Sequence, residues 1–506
     1  MPRSFILKFS GKKATTCGAG NYCDGNGSCL VNDGFPCIDA SECLSGWCTD
    51  GVCCQSDCSA SCEACNLPQT EGLCLPQTPG TDPDDECPGA GVCDGSSGCA
   101  SGAHLFSGSY GGNLDQFARD VVTDSADNVI VVGYFFGTIN LGGSTFTSAG
   151  FRDIFLVKYD SQGNHLWSRQ FGDASSDYGW EVEVDAGDDI VLAGYFRGNL
   201  DLGGGPLISA GVEDIFVAKL DADGNHLWSQ SFGDASIDYC SGLDVSPNGD
   251  VAISGYFGGA IDFGGGTLLN AGAVDGYVAV FDAQGSHLWS RRFGDATEQI
   301  VYDVGFDAQG DLAIAGRHFG TIDLGGGPLT SAGQRDAFVA KLDSNGAHLW
   351  SAQFGDAANQ LIWAMDVDAN GNIAIVGYNE GTVDFGSGPL VSAGLTDVVL
   401  AVFDGSGTPS WSAGFGGPED QEGYDVAFDP AGRVVLVGST SGAIDFDGPT
   451  LPYVGQADAF VAKLSADGQH LWSQAWGSAA IDESYGVTSD SQNATRSGDS
   501  TDQTKG

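Results

Sequence analysis

The sequence predicts an all-β chain: a β-propeller of six four-stranded blades, with seven as the alternative count, preceded by a small disulfide-rich, loop-rich domain. Three observations carry this. Trp followed by Ser recurs at Trp167, Trp228, Trp289, Trp350, Trp411 and Trp472, each 61 residues from the last, with Phe106-Ser107 one step earlier. Such a fixed period marks a repeat architecture, and these marks enclose six units without insertion or deletion. Gly supplies 79 of 506 residues and no segment has helical periodicity, which suits short strands joined by tight turns. Runs such as Val129-Ile-Val-Val and Ile154-Phe-Leu-Val-Lys-Tyr are apolar at nearly every position, as sheets covered on both faces require.

One unit shows the elements in order. A strand from Ser229 to Phe232 leads through a loop to Leu243-Asp-Val-Ser. The turn Pro247-Asn-Gly-Asp reverses the chain into Val251–Phe257, and a Gly-rich connection runs from Gly258 to Gly272. Asp275–Asp282 forms the next strand, and Ala283-Gln-Gly-Ser turns it into His287–Phe293. That makes four strands per unit with hairpin-type turns. Before the first unit stands an orphan strand, His104–Tyr110, and after the sixth another, Ser484–Asp490. The N-terminal orphan is expected to clasp the final blade. The propeller is assigned to residues 103–490, and residues 491–506, which lack Val, Ile, Leu and aromatics, to a disordered tail.

Fifteen of the 16 cysteines fall between Cys17 and Cys99: Cys17, Cys23, Cys29, Cys37, Cys43, Cys48, Cys53, Cys54, Cys58, Cys62, Cys65, Cys74, Cys87, Cys93 and Cys99. No His lies among them, and Cys62 with Cys65 is the one CxxC, so a zinc ribbon lacks its second pair. Disulfides of unassigned pairing are expected to staple residues 17–100, which are too poor in aliphatics to fold on a core alone. That chemistry needs an oxidising compartment, so an extracellular or cell-surface location is expected. Residues 1–16 read as a leader remnant or linker, because their apolar run, Phe5-Ile6-Leu7, is too short for a signal peptide. The recorded start is expected to be displaced or its leader replaced.

The formal charge of −48 excludes a nucleic-acid partner bound by phosphate neutralisation, and no run is long enough for a transmembrane helix. A monomer is expected. The repeated residues have structural explanations. The tryptophans are expected to pack between blades. The histidines two places before them lie in different blades and cannot share a metal. The strand-opening Asp153, Asp214, Asp275, Asp336, Asp397 and Asp458 are expected to bond local backbone. No cofactor is expected, with calcium as the one candidate: Asp221-Ala-Asp-Gly-Asn225, through Asp221 and Asp223, offers the densest local carboxylates, ahead of Asp185-Ala-Gly-Asp-Asp189. Cys240, standing where the previous unit has Gly179, is expected to be a free, semi-buried thiol.

Departures from the repeat mark the candidate binding site. Arg317-His318 replaces the Tyr-Phe of Tyr134-Phe135, Tyr195-Phe196 and Tyr256-Phe257, while Trp180, Tyr302 and Trp363 stand where the first strand leads to the central channel. Together they make one ring face chemically uneven, as a ligand site requires. No GxSxG, HExxH or phosphate-cradling Gly loop occurs, and equal loop lengths in every unit favour binding over catalysis.

Asp307-Ala-Gln-Gly-Asp-Leu-Ala-Ile-Ala-Gly316 and Asp336-Ala-Phe-Val-Ala-Lys-Leu-Asp343 recur over residues 104–490. This resembles the bacterial SBBP-type β-propeller repeat. The Cys-rich part resembles modules at the head of myxobacterial surface proteins, and Cys37–Cys54 is similar to the Dickkopf-type pattern. The resemblance implies export and a scaffold rather than an activity. The expected function is therefore a non-enzymatic surface or secreted protein whose propeller engages a protein or glycan. The alternative is a propeller enzyme, a polysaccharide lyase or glycan hydrolase, working at the channel with its Asp residues, Arg317 and His318.

Overall fold

In the computed structural model, residues 114–491 and 493–498, with Tyr110 and Gly111, are described with their side chains. For Arg3–Ser10, His104–Ser109, Asp499–Asp502 and six two-residue strands between Cys48 and Ala100, only backbone pairing is described. The expected disulfides of Cys17 to Cys99 lie outside the described side chains. Among the described residues no helix is long and apolar enough to cross a membrane.

Each repeat forms one four-stranded antiparallel blade, shifted from the Trp marks so that its inner strand comes first. In the third blade the strands run outward from the axis as Asp238–Val245, Val251–Phe257, Asp275–Phe281 and His287–Phe293. The Gly-rich connection is more ordered than expected. In blades 2 to 5 it folds into a two-stranded hairpin, as at Ala260–Ile261 with Leu268–Leu269.

The apolar runs are covered on both sides. Val191, Ala193, Ile215 and Val217 of blade 2 pack against Leu243, Val251, Ile253 and Tyr277 of blade 3, and similar clusters fill the interfaces of the blades that follow. The repeated Trp ties each outer strand to the next blade. Trp167, Trp228, Trp289, Trp350 and Trp411 donate Nε1–H to a turn carbonyl 55 residues on, at 2.9–3.3 Å. Each ring lies over a turn glycine, such as Gly346 (φ +75°) below Trp289, where a Cβ would meet the indole. Gly is needed there twice over, for the left-handed backbone and for the close approach. The repeated histidines bond the Ser three residues on, at 2.9–3.1 Å. The strand-opening aspartates accept backbone N–H groups four residues back, as Asp336 does from Ala332 at 3.0 Å.

The ends depart from the sequence expectation. A further four-stranded sheet, of the same build, stands between blade 6 and blade 1. Its order from the axis is Ile481–Ser489, Thr495–Asp502, Arg3–Ser10 and His104–Gly111. Arg3–Ser10, expected as leader or linker, is a strand, and so is Thr495–Asp502, expected as tail. With the orphan strands His104–Gly111 and Ile481–Ser489 they complete a seventh sheet. Nor does His104–Gly111 join the last repeat's blade; it pairs with Arg3–Ser10. The tail strand carries no large apolar residue, but Thr495, Arg496 and Ser497 are buried, and Arg496 is ion-paired with buried Asp490. Lys158–Asp124 at 2.8 Å and Lys341–Asp307 at 2.7 Å are buried ion pairs of the same kind in complete blades. Ser10 and His104 thus end and begin the third and outer strands of the closing sheet. The short strand Val92–Cys93 lies against His470–Trp476. There Leu471 is 1% exposed, whereas its counterparts Leu166, Leu227, Leu288 and Leu349 are 48–49% exposed.

Ring closure by both ends has a direct test. Deleting residues 495–506, or residues 3–10, should uncover apolar faces of blades 1 and 6, lower the melting temperature and promote aggregation. Calorimetry and light scattering check this, and a truncated chain that stays monomeric and equally stable would refute it.

Candidate functional site

The inner strands line a central channel holding a cavity of about 660 Å³. One structural device furnishes it. Each inner strand carries a β-bulge at the same repeat position, and the bulged residues are Arg119, Trp180, Ser241, Tyr302, Trp363, Tyr424 and Tyr485. A bulge leaves a residue out of the ladder and re-aims its side chain. All seven line the cavity. The Arg119 guanidinium is sandwiched between Trp180, 3.7 Å from the ring centroid, and Tyr485 at 4.3 Å. Tyr302 and Trp363 meet edge to face at 4.8 Å. Next to them, an arc of stacked and edge-on rings joins Tyr134, Tyr178, Tyr195, Tyr239 and Tyr256, at centroid separations of 4.3–5.0 Å.

Next to the bulges runs a belt of carboxylates. Asp120, Asp244, Asp303, Asp366 and Asp425 each accept the N–H of the following residue and an N–H of the next inner strand, 62 residues on, at 2.5–2.8 Å. They staple neighbouring blades at the axis. Blade 2 instead supplies Glu181 and Glu183, which make no such inter-blade bond to backbone N–H. Burial raises the pKa of all seven. Burial first and then neighbouring carboxylates hold Glu181 and Glu183 well above the usual range. Burial pushes Asp244 up to about 6 against its backbone bonds, and pushes Glu422, beside Trp363, up to about 7.

Of the five residues expected at the binding face, the structure brings Trp180, Tyr302, Trp363 and Arg317 to the cavity. Arg317 lies 5.4 Å from the Tyr302 ring and bonds Glu298 at 3.0 Å. His318 is a correction. Its strand neighbour faces the channel, so its own ring faces the opposite way, into the core, 6.3 Å from Phe338 and with no exposure. It occupies the place of buried Phe135, Phe196 and Phe257, and neither ring nitrogen makes a hydrogen bond. In its turn Asp221 accepts the N–H groups of Asp223 and Asn225 and the Asn225 amide, at 2.8–3.1 Å. Asp223 is exposed and its carbonyl takes Arg169 at 2.7 Å. Among the described residues no three acidic, His or Cys groups are placed to hold a metal ion. Cys240 is a free, buried thiol, raised by burial.

The sequence reading missed Arg119, Tyr424, Tyr485 and the carboxylate belt. The signal was present: Trp180, Tyr302 and Trp363 are themselves spaced in multiples of 61, and continuing that step yields Arg119, Tyr424 and Tyr485.

No family model matches the chain. It is 22% identical to an uncharacterized WD repeat-containing protein of Acanthamoeba polyphaga mimivirus, over 91% of this chain and 40% of that one, so it spans less than half of that relative's length. Among solved structures, Sqt1 from Chaetomium thermophilum is 12% identical with a TM-score of 0.36, over 76% of this chain and 94% of that one. A gluconolactonase from Xanthomonas campestris is 15% identical with a TM-score of 0.29, over 63% of this chain and 93% of that one. Neither likeness bears on chemistry.

Two pH effects follow from the buried groups. Burial pushes His318 down to about 4, opposed by the Gly320 carbonyl and Asp295, so the unfolded chain takes up its proton first and stability falls as pH drops from about 6.5 towards 4. His318→Phe should stabilise by about 1–3 kcal/mol at neutral pH, with a gain that grows below pH 6.5. Glu422 has the opposite sign: its raised pKa stabilises the protonated folded form, and that stability is lost as pH rises from about 4.5 through 7. Glu422→Gln should flatten that part of the profile. Denaturant melts of both variants against the parent, from acid to neutral pH, check the two slopes. The chain is an all-β propeller, with six blades built from single repeats and a closing sheet drawn from both ends.

Proposed function

We propose that this is an exported, non-enzymatic binding protein whose propeller takes a glycan at the aromatic mouth of its channel. The observation that carries the reading is the bulge ring. Flat rings at Trp180, Tyr302 and Trp363 face a concave cavity, with carboxylates and Arg119 beside them. Sugar rings present apolar faces that stack on aromatics and hydroxyls that bond to such acceptors and donors, so the mixture suits a glycan better than a flat protein epitope. Export rests on the cysteine density of residues 17–99. Binding is favoured over turnover because the five belt aspartates already hold two backbone N–H groups each, and because His318 lies outside the cavity. An acid–base pair would have to come from Glu181, Glu183 and Glu422, the lining acids outside those staples.

The test is a glycan array followed by calorimetry on the full chain, with a parallel assay for cleaved or unsaturated products. Binding without turnover is expected, weakened about tenfold or more in Trp363→Ala, as loss of a stacking platform implies. Turnover abolished in Glu422→Gln would establish the enzyme instead, and no retained glycan would remove the reading.

A further inference from the structure

The charge of the cavity narrows the class of glycan, an inference that rests on the glycan reading above. Seven belt carboxylates and Glu422 line the cavity, and the cations among its lining residues are Arg119 and Arg317. Arg317 shares Glu298 with Arg335, at 3.0 and 2.9 Å. Two guanidiniums thus face eight acids in a space walled by protein, where burial and mutual repulsion keep protons on Glu181, Glu183, Asp303 and Asp425 while no cation is near. A cationic guest lets these acids ionise and pairs with them, whereas a neutral guest leaves them protonated and an anionic guest opposes their ionisation. A bare metal ion does not fit the layout, because among the described residues no three acidic, His or Cys groups are placed to hold one. Acids spread round the channel suit positive charge distributed along a guest.

The chain itself shows how this channel accommodates an organic cation. The Arg119 guanidinium lies between the rings of Trp180 and Tyr485, at 3.7 and 4.3 Å, next to Asp120 in sequence. Cation–π attraction and a nearby carboxylate act together there. The second aromatic pair at bulge positions, Tyr302 with Trp363, stands beside Glu422, with its nearest guanidinium, Arg317, 5.4 Å from Tyr302 and ion-paired elsewhere. We propose that the channel's ligand is a cationic glycan, an oligosaccharide of hexosamine units with free, protonated amino groups. Its rings stack on Trp363 and Tyr302, and its ammonium groups are neutralised by Glu422, Glu181 and Glu183. The last two are the belt acids that make no inter-blade bond to backbone N–H, so both can give up their protons to pair with a guest while the backbone staples stay in place.

Calorimetry of the full chain with three probes separates the alternatives: a glucosamine tetramer, the N-acetylglucosamine tetramer, and spermine, at low salt and about pH 6.5, where amines are charged. The glucosamine tetramer should bind about 30-fold or more tighter than its acetylated counterpart, since acetylation removes the charge and keeps the ring. Spermine should bind more weakly than the glucosamine tetramer, because it lacks rings to stack. Equal affinity for the two tetramers would overturn the charge inference and leave the glycan reading standing. Spermine matching the glucosamine tetramer would overturn the glycan reading and leave the charge inference standing. No binding of any probe would overturn both. The double variant Glu181→Gln with Glu183→Gln keeps the shape of the site and should lose about tenfold or more in affinity for the glucosamine tetramer, at an unchanged far-ultraviolet spectrum. An unaltered affinity in that variant would remove these two acids from the site.

Discussion

The structure depends on one constraint: every blade is apolar on both faces, so no blade can stand without a neighbour on each side. Val251, Ile253 and Tyr277 look one way from blade 3, while Ala252, Val278 and Val280 look the other. Burying both sets is possible only in a closed circuit, because an open row leaves two interface-sized apolar faces in water. Closure therefore draws in segments that would not hold as strands alone. Thr495–Asp502 has no large apolar side chain, yet its backbone is paired on both edges, and its buried Arg496 is matched by Asp490. The Trp-to-turn bonds lock each outer strand to the next blade, and the belt aspartates do the same at the axis. The ring is thus held at both radii.

That geometry also creates the site. A ring of inner strands brings the same repeat position of every blade to one circle, so a bulge at that position becomes a ring of side chains facing a common space. The repeat carries structure beside that circle: Asp120, Asp303 and Asp425 at one position, and Asp244 and Asp366 two residues further on, give both carboxylate oxygens to backbone N–H groups. Where it varies, as at Arg119, Trp180, Ser241, Tyr302 and Trp363, the circle becomes chemically uneven. The staples have an electrostatic consequence. Carboxylates that hold blades together at the axis also face one another across a narrow space, and burial with mutual repulsion raises their pKa values.

Much of this was legible in the chain, and each failure has a physical cause. The 61-residue step gave the blades, the tight turns and the inter-blade role of the Trp, because those features repeat and depend on local pattern. Trp180, Tyr302, Trp363 and Arg317 stood out as departures and do reach the cavity. His318 stood out for the same reason but points into the core, since adjacent residues on a strand face opposite ways. The tail strand was illegible because apolar content was the criterion applied, and this strand is held by backbone pairing and a buried ion pair instead. Arg3–Ser10 was illegible because its partners lie at the far end of the chain and across a 93-residue excursion between Ser10 and His104.

By itself, then, the sequence determined the all-β class, the repeat length, the four-stranded unit and the residues that seal one blade to the next. These are periodic, and a period is visible without contacts. Only the tertiary structure decided how the ring closes, which face of a strand each exceptional residue takes, and that carboxylates from different blades form one belt around one cavity. Those properties arise from placing segments hundreds of residues apart on a common axis, and neither hydrophobic pattern nor turn chemistry encodes that distance.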